Sequence, residues 1–282
     1  LETIGDGAFY GCSSLNQFSI SNYYSSSARL KSIGAYAFSG TSITSFNAPQ
    51  SLETIGDGAF YRCSSFNWFS IPPSSALKSI GAYAFSGTSI NGFQAPSTLE
   101  NIGDGAFYGC SSFNYFNIPP SSALKSIGAY AFSGTSIYYF QIPSALENIG
   151  DGAFYGCSRL SYFNTYSSYC GCNGYSCGCY SLEANLKSIG KYAFGRTAIR
   201  QFDAPSSVKY IGTFAFYDCP YLRRVFVSCD STMTIDSGTF AGSGEVSLSL
   251  PVTASYDGPI KVEPVAPCNA NYVYAKKDLY SN

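Results

Sequence analysis

Two alternating phrases divide this chain into units that repeat along nearly all of its length. The phrase Leu-Glu-Thr-Ile-Gly-Asp-Gly-Ala-Phe begins at Leu1 and Leu52, with close variants at Leu99 and Leu146. The phrase Leu-Lys-Ser-Ile-Gly-Ala-Tyr-Ala-Phe begins at Leu30, Leu77 and Leu124, with looser copies at Leu186, Val208 and Thr232. Most units are 22 to 25 residues long, and two are stretched to 29 and 40. A unit this short cannot bury its own apolar side, so the pattern predicts a solenoid whose rungs cover one another.

The pattern shared by the units is L-x-x-I-G-x-x-A-F-x-x-(C/T)-x-(L/I/F)-x-x-F-x-(I/A)-P. It resembles the BspA-like, or treponemal-type, leucine-rich repeats over roughly residues 1–251. The resemblance implies a curved solenoid with a strand on every rung, in a family of mostly secreted or cell-surface proteins concerned with adhesion and binding. We therefore predict a leucine-rich-repeat solenoid of about ten rungs over residues 1–251. It belongs to the α/β-type repeat class but consists mostly of strand and loop, and a tail or cap follows at 252–282.

Recurrent aromatic residues predict the inside of the solenoid. Phenylalanine occupies one repeat position in all ten units: Phe9, Phe38, Phe60, Phe85, Phe107, Phe132, Phe154, Phe194, Phe216 and Phe240. The strand of each rung follows, and alternation in Leu15–Ile20 points Phe18 inward and Gln17 and Ser19 outward. Ten strands stacked about 4.8 Å apart form a sheet roughly 45 Å long. The recurrent glycines are predicted to turn the chain at positive φ: Gly5, Gly34, Gly56, Gly81 and Gly103.

Composition and charge exclude several classes of function. The net charge is −1 and only 12% of residues are charged, so the chain lacks the basic field needed to bind nucleic acid. No apolar run approaches the roughly 20 residues that span a bilayer. There is no histidine, no phosphate-binding loop and no paired-carboxylate constellation, so we predict no catalysis and no cofactor. Asp6, Asp57, Asp104 and Asp151 recur on every other rung, as scaffold residues do.

Charge alternates at the second position of the repeat, from Glu2 to Lys31 to Glu53 and onward. Opposite charges therefore meet on neighbouring rungs. One interpretation is a charged binding stripe. We favour a surface ladder that fixes register, in which each exposed pair contributes only ~0.2–1 kcal/mol.

The eleven cysteines fall into two classes. Five share one repeat position and alternate with threonine there: Cys12, Cys63, Cys110, Cys157 and Cys219. They lie two rungs or about 9–10 Å apart, whereas a disulfide needs Cα atoms within about 7 Å, so we predict free, buried thiols. The other six are the disulfide candidates: Cys170, Cys172, Cys177, Cys179, Cys229 and Cys268.

Four of the disulfide candidates lie in a cysteine-rich insert at about residues 165–181, whose sequence also resembles a four-thiolate metal site. Zinc sites usually separate paired cysteines by two to four residues, but here one residue separates each pair. We therefore favour disulfides and predict no metal. A bond between Cys229 and Cys268 would hold the tail against the last rungs, and the connectivity within the insert stays open.

The outward residues in the middle of the predicted sheet combine aromatic rings with amides and carry almost no charge. We call eight of them the binding strip: Trp68, Gln94, Tyr115, Asn117, Tyr139, Gln141, Tyr162 and Asn164. Rings stack on sugar faces while amides hydrogen-bond sugar hydroxyls, and tyrosine and tryptophan also anchor protein interfaces. A third interpretation is that these residues merely suit a sheet through cross-strand pairing.

Two longer loops, at Asn22 to Tyr24 and at the cysteine-rich insert, leave the strands at one edge and favour that face for binding. We therefore predict a non-catalytic extracellular or cell-surface protein that binds a protein or glycan on this face. The alternative is a structural subunit of an extracellular filament or layer. It is motivated by Leu1, which opens directly on a repeat and leaves an uncapped solenoid end for self-association.

Overall fold

A computed structural model describes residues 1–20, 29–164, 166–172, 177–227, 234–236, 238–244, 246–250 and 262–264. The loop at Asn22 to Tyr24, Cys229 and Cys268 lie outside the described residues. We number the rungs 1 to 10 from the residues that open each repeat: Leu1, Leu30, Leu52, Leu77, Leu99, Leu124, Leu146, Leu186, Val208 and Thr232.

Strands and turns make up the described residues, and no helix is present among them. In chain order the strands are β1 (Thr3–Ile4), β2 (Ser32–Ile33), β3 (Ser45–Asn47), β4 (Thr54–Ile55), β5 (Trp68–Ser70), β6 (Ser79–Ile80), β7 (Gly92–Gln94), β8 (Asn101–Ile102), β9 (Tyr115–Asn117), β10 (Ser126–Ile127), β11 (Tyr139–Gln141), β12 (Asn148–Ile149), β13 (Tyr162–Asn164), β14 (Tyr166–Cys172), β15 (Cys177–Glu183), β16 (Ser188–Ile189), β17 (Gln201–Ala204), β18 (Tyr210–Ile211), β19 (Arg224–Val227), β20 (Thr234–Ile235), β21 (Ser247–Leu250) and β22 (Val262–Pro264). In the described residues, no helix is long and apolar enough to cross a membrane.

The rungs are joined by a parallel sheet of ten two-residue strands, ordered β1-β2-β4-β6-β8-β10-β12-β16-β18-β20. This confirms the ten-rung solenoid, but the continuous sheet does not lie where we predicted it. The predicted strand face is divided into β3-β5, β7-β9, β11-β13 and β17-β19-β21-β22, and Leu15–Ile20 of rung 1 forms no strand.

The two faces differ in how constant their length is from unit to unit. The segment L-x-x-I-G-x-x-A-F has the same length in every unit, so its strands stay in register throughout. The corner beyond it does not, because Phe60 to Phe69 is one residue longer than Phe38 to Phe46. The pairing on the strand face is interrupted after rungs 3, 5 and 7, which carry the longer corner, whereas rung 9 has the same longer corner from Phe216 to Val225 and remains paired with rung 10.

The phenylalanine spine is confirmed as a stack of rings inside the solenoid. Phe38 and Phe60 have centroids 5.3 Å apart and lie within 6° of parallel. A second row runs beside it, with Phe46 and Phe69 5.8 Å apart, and the two rows meet edge to face. Each such pair contributes about 0.5–1.5 kcal/mol beyond its buried area, and nearly every rung repeats the arrangement.

The glycine of the I-G motif is required for a reason other than the positive φ that we predicted. Gly34, Gly56, Gly81 and Gly103 do not have positive φ. A Cβ atom on Gly56 would lie 2.7 Å from the backbone nitrogen of Ala35 in the preceding rung. These glycines therefore permit close approach of adjacent rungs. Positive φ occurs nearby instead, at positions such as Gly58 and Tyr36.

Successive rungs are joined by two kinds of contact that alternate along the chain, so the structural unit is two rungs. Asp57 Oδ1 accepts a 2.7 Å hydrogen bond from the backbone N–H of Ala82 in the next rung. Equivalent bonds of 2.7 Å confirm the scaffold role of Asp6, Asp104 and Asp151. The ring of Tyr83 lies over Gly105 of the following rung, where any side chain would overlap it.

The alternating charges lie on a backbone ladder. Lys31 N–H donates to the Glu2 carbonyl at 2.8 Å, and the same bond recurs on successive rungs. Among the described residues, side-chain ion pairs form at this position between Lys31 and Glu2 (3.8 Å) and between Lys187 and Glu147 (2.8 Å). Both pairs are solvent-exposed, which fits a register function with a small energetic contribution.

Four of the five repeat-position cysteines are free and buried, as predicted: Cys63, Cys110, Cys157 and Cys219. Each thiol donates to the carbonyl of a phenylalanine on the preceding rung, as Cys157 does to Phe132 at 3.0 Å. The prediction was wrong for Cys12, which is free but exposed. Cys12 belongs to rung 1, which a neighbouring rung covers on one side only.

Candidate binding face

The middle of the strand face contains a groove of about 280 Å³ between rungs 5 and 6. Strands β9 and β11 supply its walls, and the buried side chains of Phe116 and Ile118 lie beneath it. Its polar and aromatic lining residues are Asn114, Tyr115, Asn117, Tyr138, Tyr139 and Gln141. Four residues of the binding strip therefore line one groove.

The position of one wall depends on a residue that has no side chain. Gly92 on β7 pairs with Tyr115 on β9, and a Cβ atom at Gly92 would overlap the Tyr115 ring. The ring therefore lies over the backbone of the preceding rung. Tyr115 is still 36% exposed, so much of the ring remains available to a ligand.

Hydrogen bonds between strip residues hold the amides in place. Asn117 Nδ2 donates to Gln94 Oε1 at 2.9 Å, and the Tyr139 hydroxyl donates to Gln141 Oε1 at 2.9 Å. Burial, assisted by the neighbouring Tyr138, raises the pKa of the Tyr139 hydroxyl. The phenol is therefore a neutral hydrogen-bond donor at physiological pH.

Trp68, Gln94 and Tyr162 lie on the same face but are not among the described residues that line this groove. Trp68 on β5 is 47% exposed and lies two rungs before Tyr115. Tyr162 on β13 is 64% exposed and pairs with Tyr139 in the register of β11 and β13. Asn164 pairs with Gln141 in the same register.

Alternation along the strand failed to identify Asn114 and Tyr138. Each precedes its strand and follows a buried residue, as Tyr138 follows Ile137 and precedes Tyr139. The inward residues Ile137 and Phe140 are three apart rather than two, so both residues between them point outward. That odd spacing is visible in the sequence, and it recurs in rungs 1 to 9, where two residues separate the inward pair.

The cysteine-rich insert forms an antiparallel pair of strands that follows β13 in the chain. In β14 and β15, Cys170 lies opposite Cys179 and Cys172 lies opposite Cys177. The register thus brings the four insert cysteines together in two cross-strand pairs. Within the described residues, no group of three or more Cys, Asp or Glu side chains is placed to hold a metal ion.

Comparison with models of known protein families identifies the family of this chain. The BspA type leucine-rich repeat region, in six copies, matches residues 1–76, 31–161, 78–184 and 165–256. The chain belongs to the BspA type leucine-rich repeat family. Membership of this family confirms the resemblance seen in the repeats, and it identifies the chain as a leucine-rich repeat protein.

Solved structures of several other proteins are similar to this chain. A leucine-rich repeat protein from Bacteroides ovatus is 24% identical, with a TM-score of 0.50, covering 94% of this chain and 76% of that one. The pneumococcal vaccine antigen PcpA is 18% identical, with a TM-score of 0.51, covering 91% of this chain and 67% of that one. A leucine-rich cell surface protein from Faecalibacterium prausnitzii is 18% identical, with a TM-score of 0.43, covering 94% of this chain and 77% of that one. A search of curated proteins finds no significant match.

Proposed function

We propose that this chain is a non-catalytic, extracellular recognition protein that binds a neutral saccharide on the binding strip. The observation that carries the proposal is the groove between rungs 5 and 6, where Tyr115, Tyr138 and Tyr139 surround the amides of Asn117 and Gln141. Its lining combines ring faces with side-chain hydrogen-bonding groups, and none of the described lining residues is charged.

The chemistry of the lining suits a sugar ring. The apolar face of a pyranose packs on an aromatic ring, and its hydroxyls both donate and accept hydrogen bonds. Gln94 and Asn117 bond to each other through one oxygen and one nitrogen, which leaves the Gln94 amide nitrogen and the Asn117 oxygen for a ligand. The site thus offers donors and acceptors that its own hydrogen bonds already orient.

The size of the groove favours a saccharide over a protein partner. A volume of about 280 Å³ is at the lower end of small-ligand pockets, which typically enclose ~300–1,000 Å³. A stable protein interface instead buries about 800 Å² on each partner and usually centres on well-packed anchor side chains. The groove suits one ring of an oligosaccharide that continues over Tyr162 or towards Trp68.

Two observations support an extracellular location. The insert places four cysteines in cross-strand register, an arrangement that an oxidising compartment would turn into disulfides. Among proteins of similar fold, PcpA is described as a vaccine antigen. Direct labelling of intact cells with an antibody against this chain would report surface exposure.

A glycan array probed with the purified protein tests the proposal. We expect binding to one or a few related neutral glycans, and loss of that binding in Tyr115→Ala and Tyr139→Ala. If the array is blank while the protein captures a single defined protein ligand through the same tyrosines, the saccharide assignment is wrong. Electron microscopy at high protein concentration tests the alternative of end-to-end assembly, for which ordered fibres are the expected result.

A further inference from the structure

Beyond the neutral strip, the strand face carries a cluster of arginines on rungs 8 and 9. The backbone N–H of Arg223 donates to the Arg200 carbonyl at 2.9 Å, so these residues stack on adjacent rungs. Arg224 begins β19 and pairs with Gln201 on β17. The three arginines, Gln201 and Tyr221 line a cleft of about 600 Å³.

Neutral groups hold two of the three guanidinium groups in place. Arg223 Nη1 donates to the carbonyls of Pro220 at 2.8 Å and Leu222 at 3.1 Å. Arg224 Nη2 donates to Gln201 Oε1 at 3.0 Å. A guanidinium has five N–H donors, so both groups retain donors for an oxyanion.

The charge of this cluster is largely uncompensated by the described part of the chain. No described carboxylate lies within ion-pair distance of Arg200, Arg223 or Arg224. Asp203, on the same face, accepts a 3.3 Å hydrogen bond from Gln201 Nε2 and has other contacts. Three exposed arginines on two rungs are a marked concentration in a chain with a net charge of −1.

We propose that Arg200, Arg223 and Arg224 bind the carboxylate or sulfate of an acidic saccharide, with Tyr221 packing on the sugar ring. A single guanidinium binds such an oxyanion through two parallel N–H donors. The exposed Tyr221 ring offers an apolar surface beside the arginines. This deepens the proposed function, on which it rests in part, because a chain lying along the strip from Tyr162 reaches Gln201 and then this cleft.

Titration of the full chain with four matched probes tests this site. The probes are chitotetraose (neutral), a hyaluronan tetrasaccharide (carboxylate), a heparin tetrasaccharide (sulfate) and an oligoglutamate peptide. The variants are Arg223→Gln with Arg224→Gln, Arg200→Gln, and Arg62→Gln as an exposed arginine remote from the cleft. Circular dichroism verifies that each variant is folded.

We expect an acidic saccharide to bind more tightly than chitotetraose, and more weakly as salt rises. Each cleft arginine removed should weaken acidic binding by about tenfold, with chitotetraose binding unchanged and Arg62→Gln behaving as wild type. The hyaluronan and heparin arms tell carboxylate from sulfate. If the Arg223→Gln, Arg224→Gln variant still binds the acidic saccharide with wild-type affinity, the proposed site is wrong. The proposal is also wrong if oligoglutamate binds as tightly as either saccharide. Tyr115→Ala should lose chitotetraose binding, and this measurement tests the binding strip independently of the arginine cleft.

Discussion

The ring of Tyr115 lies over the backbone of Gly92 on the preceding rung, in the space that any side chain at position 92 would occupy. A column of outward residues thus contains one gap, and a tyrosine covers it. Tyr115 is also one of the residues that line the groove between rungs 5 and 6. The relationship links a residue with no binding chemistry of its own to the geometry of the candidate site.

Replacing Gly92 with alanine should therefore alter binding more than folding. The new Cβ atom would meet the far side of a flexible side chain, and Gly92 does not have positive φ, so the backbone can keep its conformation. We expect a stability loss below about 1 kcal/mol, together with binding to the array ligand weakened about tenfold. Thermal unfolding and calorimetric titration measure the two effects. Equal ligand affinity in the two proteins would show that the Tyr115 orientation is unimportant.

Alanine substitution at the glycines of the I-G motif should instead affect folding stability. A Cβ atom on Gly81 would lie 2.6 Å from the backbone nitrogen of Asp57, whereas one on Gly5 would have no atom within 4 Å. Gly81→Ala should destabilise the solenoid by about 1–3 kcal/mol or more, because adjacent backbones must separate. Gly5→Ala occupies the same repeat position in rung 1 and is the matched control, with an expected change within about 0.5 kcal/mol. Chemical denaturation compares them, and similar losses in both would contradict the close-approach explanation.

Periodicity predicted the rung count, the phenylalanine spine and the aspartate scaffold, because each depends on one residue type at a fixed spacing. It did not reveal that Gly56 is needed for contact with Ala35, since a glycine in the sequence does not show whether conformation or space demands it. It also placed the continuous sheet on the wrong face, because the hydrophobic pattern is the same in rungs whose strands pair with the next rung and in rungs whose strands do not. The binding strip was predicted as outward columns, but the additional wall of Tyr138 depends on a local departure from alternation.

Buried thiols should make the fold sensitive to alkaline pH. Burial raises the pKa of Cys157 to about 12, partly offset by a hydrogen bond to Thr135. The unfolded thiol ionises near pH 8.5, so the folded state binds the proton more tightly between these values and stability falls as pH rises. From pH 7.5 to 10 this thiol should remove about 1–2 kcal/mol from the free energy of unfolding.

Cys157→Ala provides the comparison for this effect. The variant should be less stable at pH 7.5, because it loses the bond to the Phe132 carbonyl and leaves a small cavity. Its disadvantage should shrink by about 1–2 kcal/mol at pH 10, while the titration of tyrosines is common to both proteins and cancels. Urea denaturation at the two pH values measures the difference. Equal losses of stability between pH 7.5 and pH 10 in the two proteins would mean that the pKa of Cys157 is the same in the folded and unfolded states.

The insert should contain two cross-strand disulfides, Cys170 to Cys179 and Cys172 to Cys177. Opposite residues of an antiparallel pair have Cα atoms about 4.5–5.5 Å apart, within the range that a disulfide spans. Mass spectrometry after non-reducing proteolysis identifies the bonds in protein secreted through an oxidising compartment. If the four cysteines are instead free thiols and their alkylation releases zinc, the insert is a metal site. A disulfide from Cys170 to Cys177 would contradict the strand register.

The most direct test of saccharide recognition by the strip compares two pairs of tyrosines on the same two rungs. Tyr115 and Tyr139 line the groove, whereas Tyr108 and Tyr130 are exposed to a similar degree (49% and 44%) in the turns of those rungs. Calorimetric titration with the neutral glycan selected on the array is made for wild type and for the two double alanine variants. We predict that removal of Tyr115 and Tyr139 weakens binding at least a hundredfold, while removal of Tyr108 and Tyr130 leaves affinity within about twofold. Equal effects of the two double variants, or unchanged affinity without Tyr115 and Tyr139, would contradict it.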